Sequence, residues 1–468
     1  MKFGIEMTLR QVEESDVAKE IVDKFLPGVR SRISGNPRAA SLSIKKAVEY
    51  MNGAIPLNVL PKIEEELQKL NTPENRISPA EKKQIAFFKE LDVIDKAKEH
   101  REECHHQDAI CPGSVWLDTK GERIQAHGGA VFYEDGTYYW YGENKEHTDG
   151  QNGIWTWGIR AYASKDLYNW KDMGLIIPPV LDDPDSSLYP TKCLDRPHIL
   201  YCRKRKKYVC WIKLSGAQAA FVILMSDNLL GPYTITQEFY RPNGLEVGDF
   251  DLICEEDTGN AYLYAEANHE SIVCMQLSQD YLRAEKEISR QYAGLTPPFT
   301  REAPALFEWK GKKYMITSGM TGYIPNRSDC AVSESWENPF ASIGNPHVAD
   351  DSDASFNSQI SKIFRVEGKR NLFIAMADRW VPEYLIDAKL ADIITRATAS
   401  HYDPGKYQVT SEERKIFEES PDLETVNTSI SDYVWLPIRF EDPSAEHPEG
   451  LVYIDWLDEW KIENSFPN

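Results

Sequence analysis

Four positions recur in the last three quarters of this chain in the same local setting. Asp195, Asp251, Glu302 and Gln359 each stand near the head of a short apolar strand that runs into a polar turn and returns as an apolar, often Tyr-rich strand. Their separations are 56, 51 and 57 residues. The clearest instance is residues 300–309 (TREAPALFEW), a turn at Lys310-Gly311, and residues 312–319 (KKYMITSG), a hairpin pattern. A repeat of about 50 residues with four strands per unit marks blades arranged round a channel. Five units begin near Ile124, Leu194, Gly248, Thr300 and Ser355, and strands at 433–440 and 451–456 complete the last. The expectation is a mainly β chain, a five-bladed β-propeller. A stacked β-sandwich is the competing all-β arrangement.

Residues 1–110 follow another period. Val17, Ile21, Val22 and Phe25 fall at helical spacing, 39–50 and 60–70 read the same way, and Ser78-Pro79 with Glu81 is a helix start with a capping box. This predicts a small all-α module over 1–110, ahead of a propeller over 111–468. The module is assigned to docking or to self-association as a homo-oligomer. Cys104, His105, His106 and Cys111 sit at the junction. With no further paired ligands they read as linker rather than as a zinc site.

Charge decides among partners. A net charge of −21 repels nucleic-acid phosphates and anionic lipid, which leaves neutral ligands. All 12 Trp lie beyond residue 115, as aromatic-packed blades or a sugar cleft require. The eight Cys form no CxxC pair and the first residues carry no apolar signal core, so the expected location is cytoplasmic, with reduced thiols. No cofactor is expected. A structural metal in the channel stays open, because His127 is available but no ligand set is visible.

In a propeller the first strand of each blade lines the channel, so Asp195, Asp251, Glu302 and Gln359 converge there. Crowded carboxyls raise one another's pKa. Two carboxyls flanking a sugar ring, one protonated, are what glycosidic cleavage uses. Plainer readings exist: Glu302 paired with Arg301, Asp195 with Arg196, Asp251 capping a turn with Asp249, Gln359 as a core amide, Glu143 as a rim charge, His127 and Trp380 as core.

At these residues the sequence resembles glycoside hydrolase family 43, nearest its exo-β-1,3-galactanase branch. The marks are 127–129 with 139–143, then 195–197, 250–252, 301–305 with 316–319, and 358–359, within a span of about 124–460. The resemblance implies that Glu302 is the general acid, that Asp251 orients it and keeps it protonated, and that Gln359 holds the attacking water. An amide is a poor proton acceptor, so either it acts through an unusual tautomer or a carboxylate helps, Asp195 first and Glu143 second. Most of that family places an Asp at the head of the first blade, where this chain has 125–129 (QAHGG), a loss the galactanase branch shares. His127, Glu143, Arg301 and Trp380 are the expected substrate contacts. The implied activity is inverting, exo-acting hydrolysis of short neutral oligosaccharides containing galactose or arabinose. Two rivals remain: a glycoside phosphorylase, which needs Arg196, Arg301, Arg327 and Arg379 to gather round a phosphate, and a non-catalytic sugar-binding propeller.

Overall fold

The computed structural model describes residues 3–30, 37–50, 55–71, 77, 79–98, 104–216, 218–422 and 425–464. It divides into two compact units. The first comprises residues 1–100 with 179–190 and 215–218, and the second holds the remainder.

The first unit contains α1 (Leu9–Glu13), α2 (Asp16–Phe25), α3 (Pro37–Ala40), α4 (Ile44–Tyr50), α5 (Leu60–Gln68) and α6 (Pro79–Lys98). Thr8 and Gln11 cap α1 reciprocally, and Ser15 caps α2. Val12, Val22, Ile44, Val48, Ile63 and Leu67 meet in its core. Farther along, Phe88 of α6 packs edge-on to Tyr189, whose hydroxyl donates to Gln84. The capping box expected at Ser78 lies outside the described residues.

The second unit is a five-bladed propeller. Blade one is β1 (His127–Glu134), β2 (Thr137–Glu143), β3 (Ile159–Ser164) and β4 (Lys171–Ile177). Blade two is β5 (Leu194–Cys202), β6 (Lys207–Leu214), β7 (Ala220–Ser226) and β8 (Thr234–Tyr240). Blade three is β9 (Val247–Cys254), β10 (Ala261–Ala267), β11 (Ser271–Leu277) and β12 (Ala284–Gln291). Blade four is β13 (Arg301–Trp309), β14 (Lys312–Gly319), β15 (Asp329–Ser333) and β16 (Ala341–Gly344). Each is antiparallel in chain order. Blade five has five strands in the order β17 (His347–Val348), β21 (Leu451–Asp455), β20 (Asp432–Glu441), β19 (Phe373–Arg379), β18 (Gln359–Arg365), with β17 parallel to β21. Two helices, α7 (Ala388–Tyr402) and α8 (Ser411–Glu418), interrupt it between β19 and β20.

Innermost strands close the ring: β1 lies beside β5, β5 beside β9, β9 beside β13, β13 beside β18, and β18 beside β1. The β13–β14 turn follows its sequence, since Lys310 and Gly311 both have positive φ (49° and 82°), as a two-residue type I′ hairpin requires. Aromatics fill the spaces between blades. Trp140 of blade one lies 4.6 Å from Trp435 of blade five and 5.3 Å from Trp170 by ring centroids, with Trp116 against Trp435 at 5.2 Å. Most of the Trp excess is therefore blade packing.

Candidate active site

All five inner strands carry one extra residue near their start. Between His127 and Ala130, Asp195 and His198, Val247 and Phe250, and Glu302 and Ala305, three steps face two on the partner strand; between Ile360 and Lys362, two steps face one. These are β-bulges, which bend a strand and re-aim its side chains. In three of them the residue after the polar one has positive φ: Gly128 (60°), Arg196 (50°) and Ala303 (50°). At Gly128 a Cβ would also fall 2.3 Å from Glu143 Oε1, so the glycine makes room for that carboxyl.

The bulged heads build one connected polar cluster. Gln359, first residue of β18, donates from Nε2 to Glu302 Oε1 (3.3 Å) and to Ser318 Oγ (2.9 Å), and Ser318 lies opposite Glu302 in the β13–β14 ladder. Its Oε1 accepts from Arg196 Nη2 (2.5 Å). Arg196 Nε faces Asp249 Oδ2 at 2.8 Å, and Asp249 Oδ1 accepts from Lys213 Nζ at 2.5 Å. The Arg196 backbone N–H donates to Glu143 Oε1 (2.8 Å), while Lys145 Nζ forms an ion pair with Glu143 Oε2 at 2.8 Å. Asp195 Oδ1 accepts from Trp155 Nε1 (2.6 Å), and its Oδ2 lies 3.6 Å from Lys213 Nζ.

Burial and charge split the acids. Burial, and then the Asp249 carboxylate, push Glu302 up to about 8 against the pull of Lys213 and Arg196. Burial likewise raises Glu143 to about 7, opposed by Lys145 and reinforced by Asp195. Burial would raise Asp249 too, but Arg196 and Lys213 outweigh it and hold that carboxyl below its ordinary value. One carboxyl kept protonated at neutral pH beside another kept ionised is the pattern of an acid and its electrostatic partner.

Above the cluster stand aromatics. Trp155 stacks on Tyr323 (6.1 Å) and Tyr323 leans on Trp380 (5.0 Å). A cleft of about 250 Å³ opens there, lined by Ser318, Tyr323, Asn326, Asn357, Gln359, Asp378 and Trp380 among others.

Residues 126–381, more than half of the chain, match the sequence model for glycosyl hydrolases family 43. The chain belongs to that family. No curated protein sequence matches it. Among solved structures it is similar to a family 43 β-1,3-galactosidase (28% identity, TM-score 0.59, covering 76% of this chain and 64% of that one). The chain thus spans just under two thirds of that relative. A second family 43 β-1,3-galactosidase, solved with galactodeoxynojirimycin, shares 26% identity (TM-score 0.59), with 75% of this chain and 100% of the other covered. An exo-β-1,3-galactanase from Clostridium thermocellum (24% identity, TM-score 0.57, 76% and 67% covered) shares the fold.

Within this family 43 site, Glu302, Gln359, Glu143 and Asp195 come together as the sequence suggests. Three expected residues do not take the expected places. Asp251 does not face Glu302: its Oδ1 pairs with Lys362 Nζ (2.5 Å) and its Oδ2 accepts from the Leu306 backbone N–H (2.8 Å), fully buried. The place beside Glu302 falls to Asp249, which lies inside the bulge, whereas Asp251 lies beyond it in regular pleat. His127 is wholly buried, with Nδ1 on Asp378 (2.9 Å) and its ring stacked on Tyr433 (4.7 Å), so it is core and not a surface for substrate. Arg301 turns from Glu302, donating to Thr317 Oγ1, the Thr317 carbonyl and the Arg327 carbonyl. Trp380 is nearly buried but keeps its edge in the cleft.

Nor do the four arginines of the phosphorylase reading gather. Arg196 is held in the cluster, Arg301 on Thr317, Arg379 on the Phe356 and Asn357 carbonyls, and the exposed Arg327 faces Asp353 at 3.6 Å. Deeper in the channel, the charge of Asp251 is met by Lys362, which also donates to the Leu252 carbonyl (3.1 Å). Sequence reasoning missed Asp249, Lys213, Lys145, Trp155, Tyr323 and Ser318. Asp249 was within reach, two residues before the expected Asp251, as were Ser318 and Lys213, across their hairpins from Glu302 and Asp195, and Lys145, two residues after Glu143; Trp155 and Tyr323 are brought in only by the ring.

Proposed function

We propose that this family 43 glycosidase removes terminal galactose from short β-1,3-linked galactosides, one residue at a time and with inversion. The observation that carries the reading is Glu302, held protonated to about 8 at the channel mouth and hydrogen-bonded to the Gln359 amide. A protonated carboxyl there supplies the proton to the leaving oxygen. Gln359 positions the water, and Asp195 is the carboxylate that helps take its proton. Galactose is favoured over arabinose by the likeness to two β-1,3-galactosidases above 25% identity. None of the eight cysteines is in a disulfide, which suits a reducing compartment, and we place the enzyme in the cytoplasm on that ground.

The test offers β-1,3-galactobiose and galactotriose, and arabinose oligosaccharides in parallel, to wild type and Glu302→Gln without phosphate. Wild type should release galactose, first seen by NMR as the inverted anomer, and the variant should lose roughly a hundredfold or more, within the range of roughly 10²–10⁴ for a general acid. Arabinose release alone would overturn the galactoside reading, and equal rates for both proteins would overturn the role of Glu302.

A further inference from the structure

We propose that Arg196 is the positioning residue of this site: it locks the Gln359 side chain as an amide, with its oxygen turned inward, and ties that lock to the carboxylate beside Glu302. The inference rests on the glycosidase reading of the cluster and assigns a task to a residue outside the acid and the water-holding amide.

The hydrogen-bond bookkeeping is closed. A guanidinium only donates, so the Gln359 atom 2.5 Å from Arg196 Nη2 must be the acceptor oxygen. The nitrogen is then turned to Glu302 and Ser318, and both its hydrogens are committed. An imidic-acid tautomer would leave one hydrogen on the nitrogen for two acceptors and offer Arg196 a hydroxyl oxygen, a weaker acceptor than an amide carbonyl, so both ends favour the amide. Arg196 therefore keeps Gln359 in the amide form, where it can hold water through its remaining oxygen lone pair but cannot carry off the proton. That proton goes to a carboxylate.

One residue also joins four blades. From β5, Arg196 reaches Gln359 of β18 through Nη2 and Asp249 of β9 through Nε, while its main-chain N–H holds Glu143 of β2. Its left-handed φ of 50° sits in the β5 bulge. A bulky residue in that conformation persists only where its surroundings hold it. Nη1 is buried with no protein acceptor, which a sugar hydroxyl or the attacking water would satisfy.

Arg196→Lys keeps the positive charge but loses the fork. The expected result is a crystal structure with Gln359 released from Ser318, and a kcat lowered roughly tenfold to a hundredfold with KM little changed, as a misplaced reacting group gives. Ser318→Ala, which loosens Gln359 from the other side without touching a charge, should lower kcat in the same way. In a double-mutant cycle, Arg196→Lys should add nothing to Gln359→Ala. The groups acting on Glu302 are Asp249, Lys213, Arg196 and Glu266. Arg196→Met removes one that favours ionisation, so the alkaline limb of its pH profile should move to higher pH, while Arg196→Lys should leave that limb in place. A merely structural arginine would change the melting temperature of both variants and the limb of neither. Gln359 unmoved in the Arg196→Lys crystal, or full additivity in the cycle, would overturn the proposal. If wild type releases no galactose, the substrate reading fails, and the place of Gln359 in the two crystals still decides the role of Arg196.

Discussion

Glu302→Gln should make the protein more stable as it makes it inactive, and the gain should grow with pH. In the unfolded chain the Glu302 carboxyl gives up its proton near 4.5, whereas in the fold burial and Asp249 hold the proton to about 8. Between those values the folded state binds the extra proton, so raising the pH favours unfolding. Each pH step is worth about 1.36 kcal/mol, and the interval from 4.5 to about 8 amounts to about 5 kcal/mol. That figure is a ceiling, because the mouth is open to water on one side and solvent screens it. Glutamine mimics the protonated form at every pH and escapes the penalty. Urea unfolding of both proteins between pH 4.5 and 9 measures the difference. The two should be nearly equal at pH 4.5, diverge through neutrality, and run parallel above pH 8. A difference that stays constant from pH 5 to 8.5 would refute the reasoning: the fold would not be holding Glu302 protonated, and its role as acid would fall.

Asp249→Asn removes the charge that keeps Glu302 protonated. The alkaline limb of kcat/KM, expected near pH 8 in wild type, should therefore move to lower pH in a pH–rate profile, whereas Asp251→Asn should leave it in place. Lys362→Met strips Asp251 of its buried cation and should cost about 3–5 kcal/mol in chemical denaturation.

Much of this fold was legible because a blade repeats. The strand–turn–strand pattern recurs five times, and each copy repeats the offset between turn and strand head. The site was legible to the depth of one residue per blade. Asp249 and Asp251 show the limit: two steps of a strand cover about 7 Å, enough to separate the channel mouth from its interior, and the sequence does not mark where the bulge falls. The cations were illegible for a different reason. Lys213 and Arg196 look like ordinary strand charges, and only closure of the ring buries them against the Asp249 carboxylate of the next blade. Helices α7 and α8 were passed over because they interrupt a blade whose two halves still read as strands on either side.

The extra residue at the head of every inner strand separates two demands that would otherwise compete. Beyond the bulge, side chains alternate strictly and must fill the space between blades, so their identities are tied to their neighbours. At the bulge the alternation is interrupted, and in blades two to five the polar residue there answers to the channel, whereas in blade one His127 is still core. Chemistry can then be exchanged at one blade, an amide for a carboxylate or an aspartate for a glutamate, without repacking the sheet that carries it. Freed in this way from the packing between blades, the heads are tied instead to one another, through Arg196 above all.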